Sequence, residues 1–378
     1  MPTTAYSTHF ARELDVEQLA ALLRGTQPSD LKSDADVEPH WRDWIRSDVQ
    51  CSSCGKFGAQ IVRAAKAQGT LKSIRQAHFR FVGQDGIDAH HPCCEFYGDD
   101  SAAAPQTDSL VDLGSAKTQE TRQIRELVCK GIEQKIFDQP TIRAMRQWFF
   151  DRKATSRFRV TASSEAIDWV WRLQSHPSYR RWPFHAVHAE LPAFDWEQAT
   201  IHQFTEENLA LIELVRGAPY GADHRRKAHA FANKYRDQEM FNVTTLKPYY
   251  EAALALCTFI AKNTGIKFGK TKPEDYRFKG APTHLLALCA LLLFVSSWDT
   301  NAAIAKFAKL CAAPAPTDAS LGNVVGLNPF HDYASWQLVI LSGEVAAKSS
   351  NGFDYLAQLE GIQTLLREQH RLWKIDNS

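Results

Sequence analysis

The chain has 378 residues, of which 44% are hydrophobic and 23% are charged, and its formal net charge is +1. These fractions are typical of a soluble globular protein, and the length predicts two or three domains. The near-neutral charge excludes a general attraction to nucleic acid or membranes, so any such attraction must come from local clusters. The longest apolar run, residues 285–295, is too short to cross a bilayer, which needs about 20 residues, and no membrane partner is expected.

The first 50 residues contain two amphipathic helical patterns. In residues 15–24, Asp15 is placed to cap a helix that carries leucines on one face. Further on, Trp41, Trp44 and Ile45 recur at helical spacing. We expect this second face to pack against the segment that follows, because a small metal-binding module depends on its metal and on adjoining segments for stability.

Four of the eight cysteines lie between residues 51 and 94. Cys51 and Cys54 form a Cys-x-x-Cys pair followed by Gly55. Two thiolates at this spacing can bind one tetrahedral ion, and the glycine lets the backbone turn sharply. About forty residues later, His90 and Cys94 stand four apart and can meet the same metal from one turn. The sequence therefore predicts a structural Zn²⁺ site formed by Cys51, Cys54, His90 and Cys94.

Other interpretations of this stretch stay open. His78, His91 and Cys93 offer substitute ligands, and the Cys-x-x-Cys pair could be a redox pair or two inert core thiols. A disulfide is disfavoured because no signal peptide precedes the stretch, and a reducing, cytoplasmic location is expected. The remaining cysteines lie in apolar surroundings and are expected in the core; they are Cys129, Cys257, Cys289 and Cys311.

Residues 50–97 resemble a known family. The Cys-x-x-Cys pair, the sequence His-Phe-Arg-Phe at 78–81, and the run from His90 to Cys94 followed by aromatic residues are similar to the N-terminal zinc finger of CoiA-like competence proteins. The chain departs from that pattern at Phe81, where a histidine would be common. The resemblance implies a prokaryotic protein that handles DNA in competence, in mobile elements or in defence against them, and it does not carry over a nuclease.

The predicted fold is mainly α, with a small zinc-bound α+β module first, a helical middle region next and a helical bundle at the end. Short strands are expected at 60–67 and 78–82, inside the module. Residues 98–118 contain Pro, Gly and a run of small residues, and they are predicted to be a linker. The expected regions are the zinc-finger module at 1–110, the middle region at 119–240 and the bundle at 244–378.

The middle region begins with helices predicted at 119–136 and 141–151, and between residues 143 and 182 it combines cations with interleaved aromatic side chains. Arginine forks match phosphate oxygens and flat rings can stack on exposed bases, so this combination is typical of proteins that bind single-stranded or flexed nucleic acid. The alternative is that the rings form a core and the arginines its solvated rim. The candidate contacts are Arg143, Arg146, Arg152, Lys153, Arg157, Arg159, Arg180 and Arg181, with Arg225 and Arg226 in a second basic group.

A third basic group lies in a loop at 262–279 that is punctuated by Gly and Pro. It contains Lys267, Lys270, Lys272 and Arg277. Loops with several lysines are usually only solvated, although they can also bind phosphates.

Residues 185–190 contain two histidines and a carboxylate, which are the residue types of a metal or acid–base site. Because Pro183 and Pro192 flank them, we expect an extended segment that sends His185 and His188 to opposite faces, which argues against joint ligation. Phosphate-binding glycine loops, nucleophile elbows and His-Glu-x-x-His are absent from the sequence. No catalytic residue is therefore predicted.

The last third predicts five helices with apolar residues at helical spacing, joined by Gly, Pro and Asn turns. The run at 285–295 must be buried centrally. Bundles of this kind commonly serve as docking platforms, so a protein partner is expected. The predicted helices cover 246–262, 283–297, 300–311, 333–348 and 353–373.

These observations favour a zinc-stabilised, non-catalytic protein that binds DNA or RNA, as one subunit of a prokaryotic nucleoprotein complex of a mobile element, of antiviral defence or of an RNA-guided system. One alternative is a CoiA-like nuclease in which Glu165, Asp168, Glu190 or Asp195 holds a divalent cation. The other is an interaction scaffold with structural zinc and no nucleic acid.

Overall fold

The computed structural model describes Pro2 and residues 4–26, 38–63, 65–66, 73–75, 77–83, 86–91, 94, 96, 119–177, 183–217, 220–318, 321 and 328–378. The predicted linker at 98–118, the substitute ligand Cys93 and the candidate contacts Arg180 and Arg181 lie outside the described residues.

The chain divides into two compact units, each built from two separate stretches. The first unit comprises Met1–Arg157 and Phe241–His331, and the second comprises Phe158–Met240 and Asp332–Ser378. These boundaries differ from the three consecutive regions expected from the sequence, because each unit gathers segments that are distant in sequence.

Helices predominate in the described chain, and the prediction of a mainly α fold is confirmed. The helices are α1 Val16–Arg24, α2 Trp41–Asp48, α3 Gln119–Glu133, α4 Gln139–Ala154, α5 Ser164–Ser175, α6 Trp196–Glu207, α7 Leu209–Val215, α8 Ala222–Lys234, α9 Lys247–Asn263, α10 Tyr276–Lys279, α11 Thr283–Phe294, α12 Thr300–Ala312, α13 Tyr333–Lys348 and α14 Tyr355–Asp376.

The strands are short, and they form one three-stranded sheet of order β2-β1-β3 and three two-stranded sheets, β4-β7, β5-β6 and β8-β9. They are β1 Thr4–Ser7, β2 Arg12–Asp15, β3 Val49–Gln50, β4 Ala59–Val62, β5 Ala65–Lys66, β6 Ser73–Arg75, β7 His78–Phe81, β8 Arg157–Arg159 and β9 Glu239–Phe241.

The N-terminal module, which is the described chain up to Phe96, begins as the sequence predicts. Asp15 caps α1: its carboxylate accepts a hydrogen bond from Gln18 N at 2.7 Å, and the Gln18 side chain accepts one from Asp15 N at 3.0 Å. Helix α2 runs directly into β3, which pairs with β1 and ends one residue before Cys51. The sheet therefore delivers Cys51 from a fixed backbone.

Strands β4 and β7 form the antiparallel ribbon predicted between the two halves of the metal site. Phe79 and Phe81 are buried and Arg80 between them is exposed, as alternation along a strand requires. Phe81 lies opposite Ala59 and Phe79 opposite Ile61, so the inner face of the ribbon is apolar. This face belongs to the core of the N-terminal module.

Helix α11 is the most apolar element of the first unit. All nine residues from Leu285 to Leu293 are buried, and the helix packs against α3, α9 and α12. The predicted burial of the run at 285–295 is confirmed for residues 285–293, and Phe294 and Val295 are half-buried. Within the described residues, no single helix is long and apolar enough to cross a membrane; the pair Pro273–Lys279 and Thr283–Phe294 reaches that length and composition together, but it is bent by 94°.

In the second unit, α13 packs against α5 and α8, and α14 packs against α6. The five helices predicted for the last third of the chain are all present. Helices α9, α11 and α12 belong to the first unit, whereas α13 and α14 belong to the second.

Two local predictions are wrong. Residues 186–190 form a 3-10 helix instead of an extended segment, and the rings of His185 and His188 meet edge-on at 5.1 Å, because the chain between the flanking prolines closes a tight turn. Cys311 is exposed, since it lies in the last turn of α12.

Candidate metal centre

The Cys-x-x-Cys pair lies in a tight turn that two glycines make possible. Gly55 has φ +68°, and its N–H donates to Cys51 O at 3.0 Å, while Cys51 N–H donates to Lys56 O at 2.9 Å. Gly58 has φ +101°, and a Cβ there would lie 2.6 Å from the carbonyl oxygen of Val82. This turn therefore closes around the two sulfurs only because glycine tolerates left-handed backbone.

The second half of the site follows β7. Ala89 N–H donates to Phe81 O at 3.2 Å, which returns the chain alongside the strand and places His90 next to it. His90 N–H donates to Asp88 Oδ1 at 2.9 Å, and Cys94 N–H donates to His91 O at 2.7 Å. The hydrogen bond to His91 thus brings Cys94 close to His90.

The donor atoms of Cys51, Cys54, His90 and Cys94 converge, with every pair within 4.8 Å, and all four residues are buried. The sulfurs of Cys51 and Cys94 are 3.9 Å apart, and His90 Nδ1 lies 3.6 Å from the sulfurs of both Cys54 and Cys94. A tetrahedral zinc ion with Zn–S of about 2.3 Å and Zn–N of about 2.0 Å requires S···S of about 3.8 Å and S···N of about 3.6 Å. The observed distances fit this geometry.

The same distances exclude a disulfide between Cys51 and Cys94, since such a bond would bring the sulfurs to about 2.05 Å instead of 3.9 Å. The residues that the sequence selected as most suitable ligands are therefore the ones brought together, and they lie close enough to hold a metal ion.

The thiols have unequal acidity. Burial raises the pKa of Cys51 and of Cys94 well above the ordinary value of a thiol. Hydrogen bonds from Cys51 and Cys94 lower the pKa of Cys54 far below that value. Cys54 is thus the thiol of the cluster that loses its proton most readily, and metal binding requires its thiol ligands to be deprotonated.

The substitute ligands are placed elsewhere. His78 is buried on β7 but is not in the cluster, and the His91 ring packs edge-on against Phe150 at 5.1 Å. The His90 ring lies between Phe81 and Phe96, with centroids 5.0 and 5.6 Å away. Aromatic packing thus orients the imidazole toward the sulfurs.

Helix α4 supports the centre through two of the arginines predicted to bind nucleic acid. Arg143 donates to the side chain of Gln50, the residue before Cys51, and stacks over the Tyr6 ring at 3.7 Å. Arg146 is buried in an ion pair with Glu13 of β2. Both side chains thereby fasten α4 to the three-stranded sheet that carries Cys51.

The other predicted contacts divide by exposure. Lys153 is buried, with Nζ 5.5 Å from the Phe241 ring, so neither Lys153 nor the buried Arg146 can contact a phosphate from this position. We therefore remove these two from the predicted set. Arg225 forms an ion pair with Asp168 at 2.7 Å. The exposed members are Arg152, Arg157, Arg159 and Arg226.

The aromatic residues of the middle region mostly pack internally. Trp169 is fully buried and its ring lies 5.9 Å from that of Phe204. Trp148 is half-buried against Tyr249 at 4.8 Å, and the Arg152 guanidinium covers its face at 4.3 Å. For the described residues, the interpretation of rings as core and arginines as rim fits better than a row of exposed stacking platforms.

The carboxylates proposed for a nuclease centre have local structural roles. Glu165 is exposed, and a hydrogen bond from Ser163 lowers its pKa. Asp168 accepts hydrogen bonds from Arg225 and His229, and Asp195 caps α6. Glu190 pairs with His370 and Lys374. Among the described residues, the Cys/His cluster is the single group whose donor atoms are close enough to share a cation.

Sequence reasoning missed two features. The Glu13–Arg146 pair joins residues 133 positions apart, and no local signal marks it. The second is the exposure of Phe259 and Phe278 beside the third basic group, which the spacing of apolar residues does not indicate.

Comparison of the sequence with protein-family models and curated proteins, and of the fold with solved structures, finds no significant match. The resemblance to CoiA-like zinc fingers therefore stays a prediction.

Proposed function

We propose that this chain is a zinc-stabilised, non-catalytic nucleic-acid-binding protein in which one metal ion holds the N-terminal module together. The observation that carries the metal assignment is the convergence of three sulfurs and one imidazole nitrogen at tetrahedral spacing in a buried site.

The donor set favours zinc over other common cations. Calcium and magnesium prefer oxygen ligands, whereas thiolate and imidazole in a tetrahedral arrangement are typical of Zn²⁺. Cys51, Cys54 and Cys94 would supply thiolates, and His90 would supply Nδ1.

The arrangement also favours a structural role. Catalytic zinc sites keep one coordination position for water or substrate, while structural sites are closed by four protein ligands. Here four buried residues already supply four donor atoms that lie within 4.8 Å of one another. The metal would join the turn after β3 to the turn after β7, which short strands alone hold weakly.

The nucleic-acid part of the proposal has support from surface charge. Arg152, Arg157, Arg159 and Arg226 remain exposed in the predicted set. Since the net charge of the whole chain is only +1, binding would depend on such local groups and would weaken steeply with salt.

The metal assignment is tested by measuring metal in purified protein. We expect about one zinc per chain, and Cys54→Ser should give insoluble protein because the ion contributes folding energy in a small module. Cys311→Ser removes an exposed thiol and is the matched control, with metal content and solubility unchanged. Soluble, stable Cys54→Ser protein that has lost only activity would contradict a structural role.

The nucleic-acid assignment is tested by binding of labelled oligonucleotides across a salt series. We expect the logarithm of the association constant to fall linearly with the logarithm of the salt concentration. The slope should be about −0.7 for each phosphate of a single strand that the protein contacts. No binding at low salt would favour the scaffold alternative. Cleavage that vanishes with a chelator and returns with magnesium would favour the nuclease.

A further inference from the structure

The segment Phe259 to Lys279 of the first unit forms a surface that we call the lysine surface. It contains six cations and two carboxylates, in a chain whose total net charge is +1. The carboxylates are Glu274 and Asp275, and Asp275 pairs with Lys279 at 2.8 Å. The other five cations are all exposed: Lys262, Lys267, Lys270, Lys272 and Arg277. In the described part of the chain, no carboxylate lies within ion-pair distance of any of these five.

Two aromatic rings are exposed on the same segment. Phe278 of α10 is 55% exposed and Phe259 of α9 is 44% exposed. Helix α10 and the preceding 3-10 helix, Pro273–Asp275, pack against α9. The two rings are therefore carried by elements that contact each other, and both lie on the segment that carries the unpaired cations.

Buried anchors hold the segment in place. Tyr276, at the start of α10, is 1% exposed, and Phe268, in the middle of the lysine-rich loop, is 2% exposed. Gly269 with φ +128° and Gly280 with φ +80° allow the turns on either side. The loop is thus pinned at two points, and its lysines extend from a defined backbone.

Exposed rings among unpaired cations match one class of partner. Proteins that bind single-stranded nucleic acid combine cations that track the phosphates with aromatic side chains on which unpaired bases stack. A membrane surface would instead call for an amphipathic helix with a continuous apolar face. Helix α10 has only four residues. The exposed face of α9 mixes charged and apolar side chains and is therefore not continuously apolar; it carries Glu251, Ala255, Phe259 and Lys262.

We propose that the lysine surface binds a single-stranded nucleic acid, with phosphates on its lysines and arginine and unpaired bases on Phe259 and Phe278. This assignment rests on the proposed nucleic-acid function and names the surface that performs it.

The test is fluorescence anisotropy of a labelled oligothymidylate with the full-length, metal-loaded chain, measured across a salt series. The double variant Phe259→Ala/Phe278→Ala should weaken binding about 5- to 150-fold per lost stack and leave the salt slope unchanged. The triple variant Lys267→Ala/Lys270→Ala/Lys272→Ala should reduce the salt slope by about 2, since each phosphate contact contributes about 0.7. All five side chains are exposed, so these variants should fold.

Two matched controls separate this inference from the function on which it rests. Arg152→Ala/Arg157→Ala/Arg159→Ala also removes three exposed cations, and Leu365→Ala removes an exposed apolar side chain from α14. If the arginine variant alone loses affinity, the lysine surface is not the contact and the proposed function stands. If the unmodified protein does not bind the oligonucleotide at low salt, both the function and this inference are overturned.

Vesicles of phosphatidylserine and phosphatidylcholine test the membrane alternative. Binding to such vesicles that the lysine variant abolishes and that oligothymidylate does not compete would overturn the nucleic-acid assignment. Competition by the oligonucleotide at the same surface would support it.

Discussion

The N-terminal module and the helices around α11 belong to the same unit but bury their residues by different means. Nine consecutive residues of α11 are apolar and buried, and each of the six leucines among them contributes about 1.5–3 kcal/mol by leaving water. The module has strands of two to four residues and buries the charged residues Glu13 and Asp48, of which Glu13 pairs with the buried Arg146 of α4. Where elements are too short to cover one another, buried ion pairs and hydrogen bonds replace apolar area.

Buried polar groups make the module dependent on complete pairing. The Asp48 carboxylate at the end of α2 accepts hydrogen bonds from the hydroxyls of Ser7 and Thr8 and from His9 N at 2.8 Å. Loss of one partner from such a network leaves an unsatisfied group in a dry site, which costs more than the lost bond alone. In the apolar packing of α11, the loss of one side-chain contact leaves no buried polar group unsatisfied.

The largest expected effect is from metal removal. Structural zinc in small modules contributes about 10–16 kcal/mol, so a chelator should unfold the module and leave α11 folded. Hydrogen exchange is the measurement: amides of β3, β4 and β7 should lose protection, and those of α11 should keep theirs. Unchanged protection at Cys51 in metal-free protein would show that packing alone holds the module.

The buried ion pair should come next. Arg146→Ala leaves the Glu13 carboxylate buried without its partner, and such losses cost about 3–5 kcal/mol. Urea unfolding measures this change. Arg226→Ala is the matched control, because its pair with Asp223 has a 78% exposed arginine side chain and should contribute little. Equal effects of the two variants would mean that burial of the pair does not matter.

A cavity in α11 should show the reverse pattern from metal removal. Leu288→Ala is expected to lower the free energy of unfolding by about 2–5 kcal/mol while the zinc content stays the same. Leu372→Ala, at a position 48% exposed on α14, should change stability little. If Leu288→Ala also released zinc, the module and the helical core would be one cooperative structure.

The smallest effect concerns His176 in the second unit, where burial lowers the imidazole pKa below its ordinary value. The folded state therefore binds fewer protons than the unfolded state, so stability is complete above pH about 6.5 and decreases as pH falls below it. Nε2 lies 2.9 Å from Thr205 Oγ1, which itself donates to Ile201 O at 2.7 Å, and Nδ1 lies 2.8 Å from Tyr355 Oη. Both ring nitrogens of the neutral form are thus satisfied.

Unfolding of His176→Gln and of the unmodified chain, followed from pH 5 to pH 7.5, measures this dependence. A shallower pH dependence in the variant is expected. The same slope in both proteins would place the titration elsewhere, with His224 as the next candidate because burial also lowers its pKa.

Much of the fold could be predicted because its signals are local. The capping box of α1, the alternation of β7 and the apolar spacing of the five C-terminal helices each depend on a few neighbouring residues. The ligand set could be predicted for the same reason, since each half of the site is a short motif.

The rest depends on partners that are distant in sequence. Arg146 is directed inward by Glu13, and α13 and α14 belong to a different unit from α9. Residues Ala186–Glu190 form a 3-10 helix that packs against α14. These tertiary contacts favour the 3-10 helix over an extended strand, and no short sequence pattern indicates them. Arginine-rich and lysine-rich stretches looked alike in sequence, yet Arg146 is buried whereas Lys267 and Lys270 are exposed.

The pairing of Glu13 with Arg146 also sets an order of events on the ribosome. The first strands emerge with a carboxylate whose cation is still 133 residues from being translated, and the second stretch of the first unit starts only at Phe241. Nascent N-terminal segments must therefore wait, incompletely assembled, until late in synthesis. The rate of translation and the time of metal binding would then set how long the apolar surfaces of these segments stay exposed to chaperones.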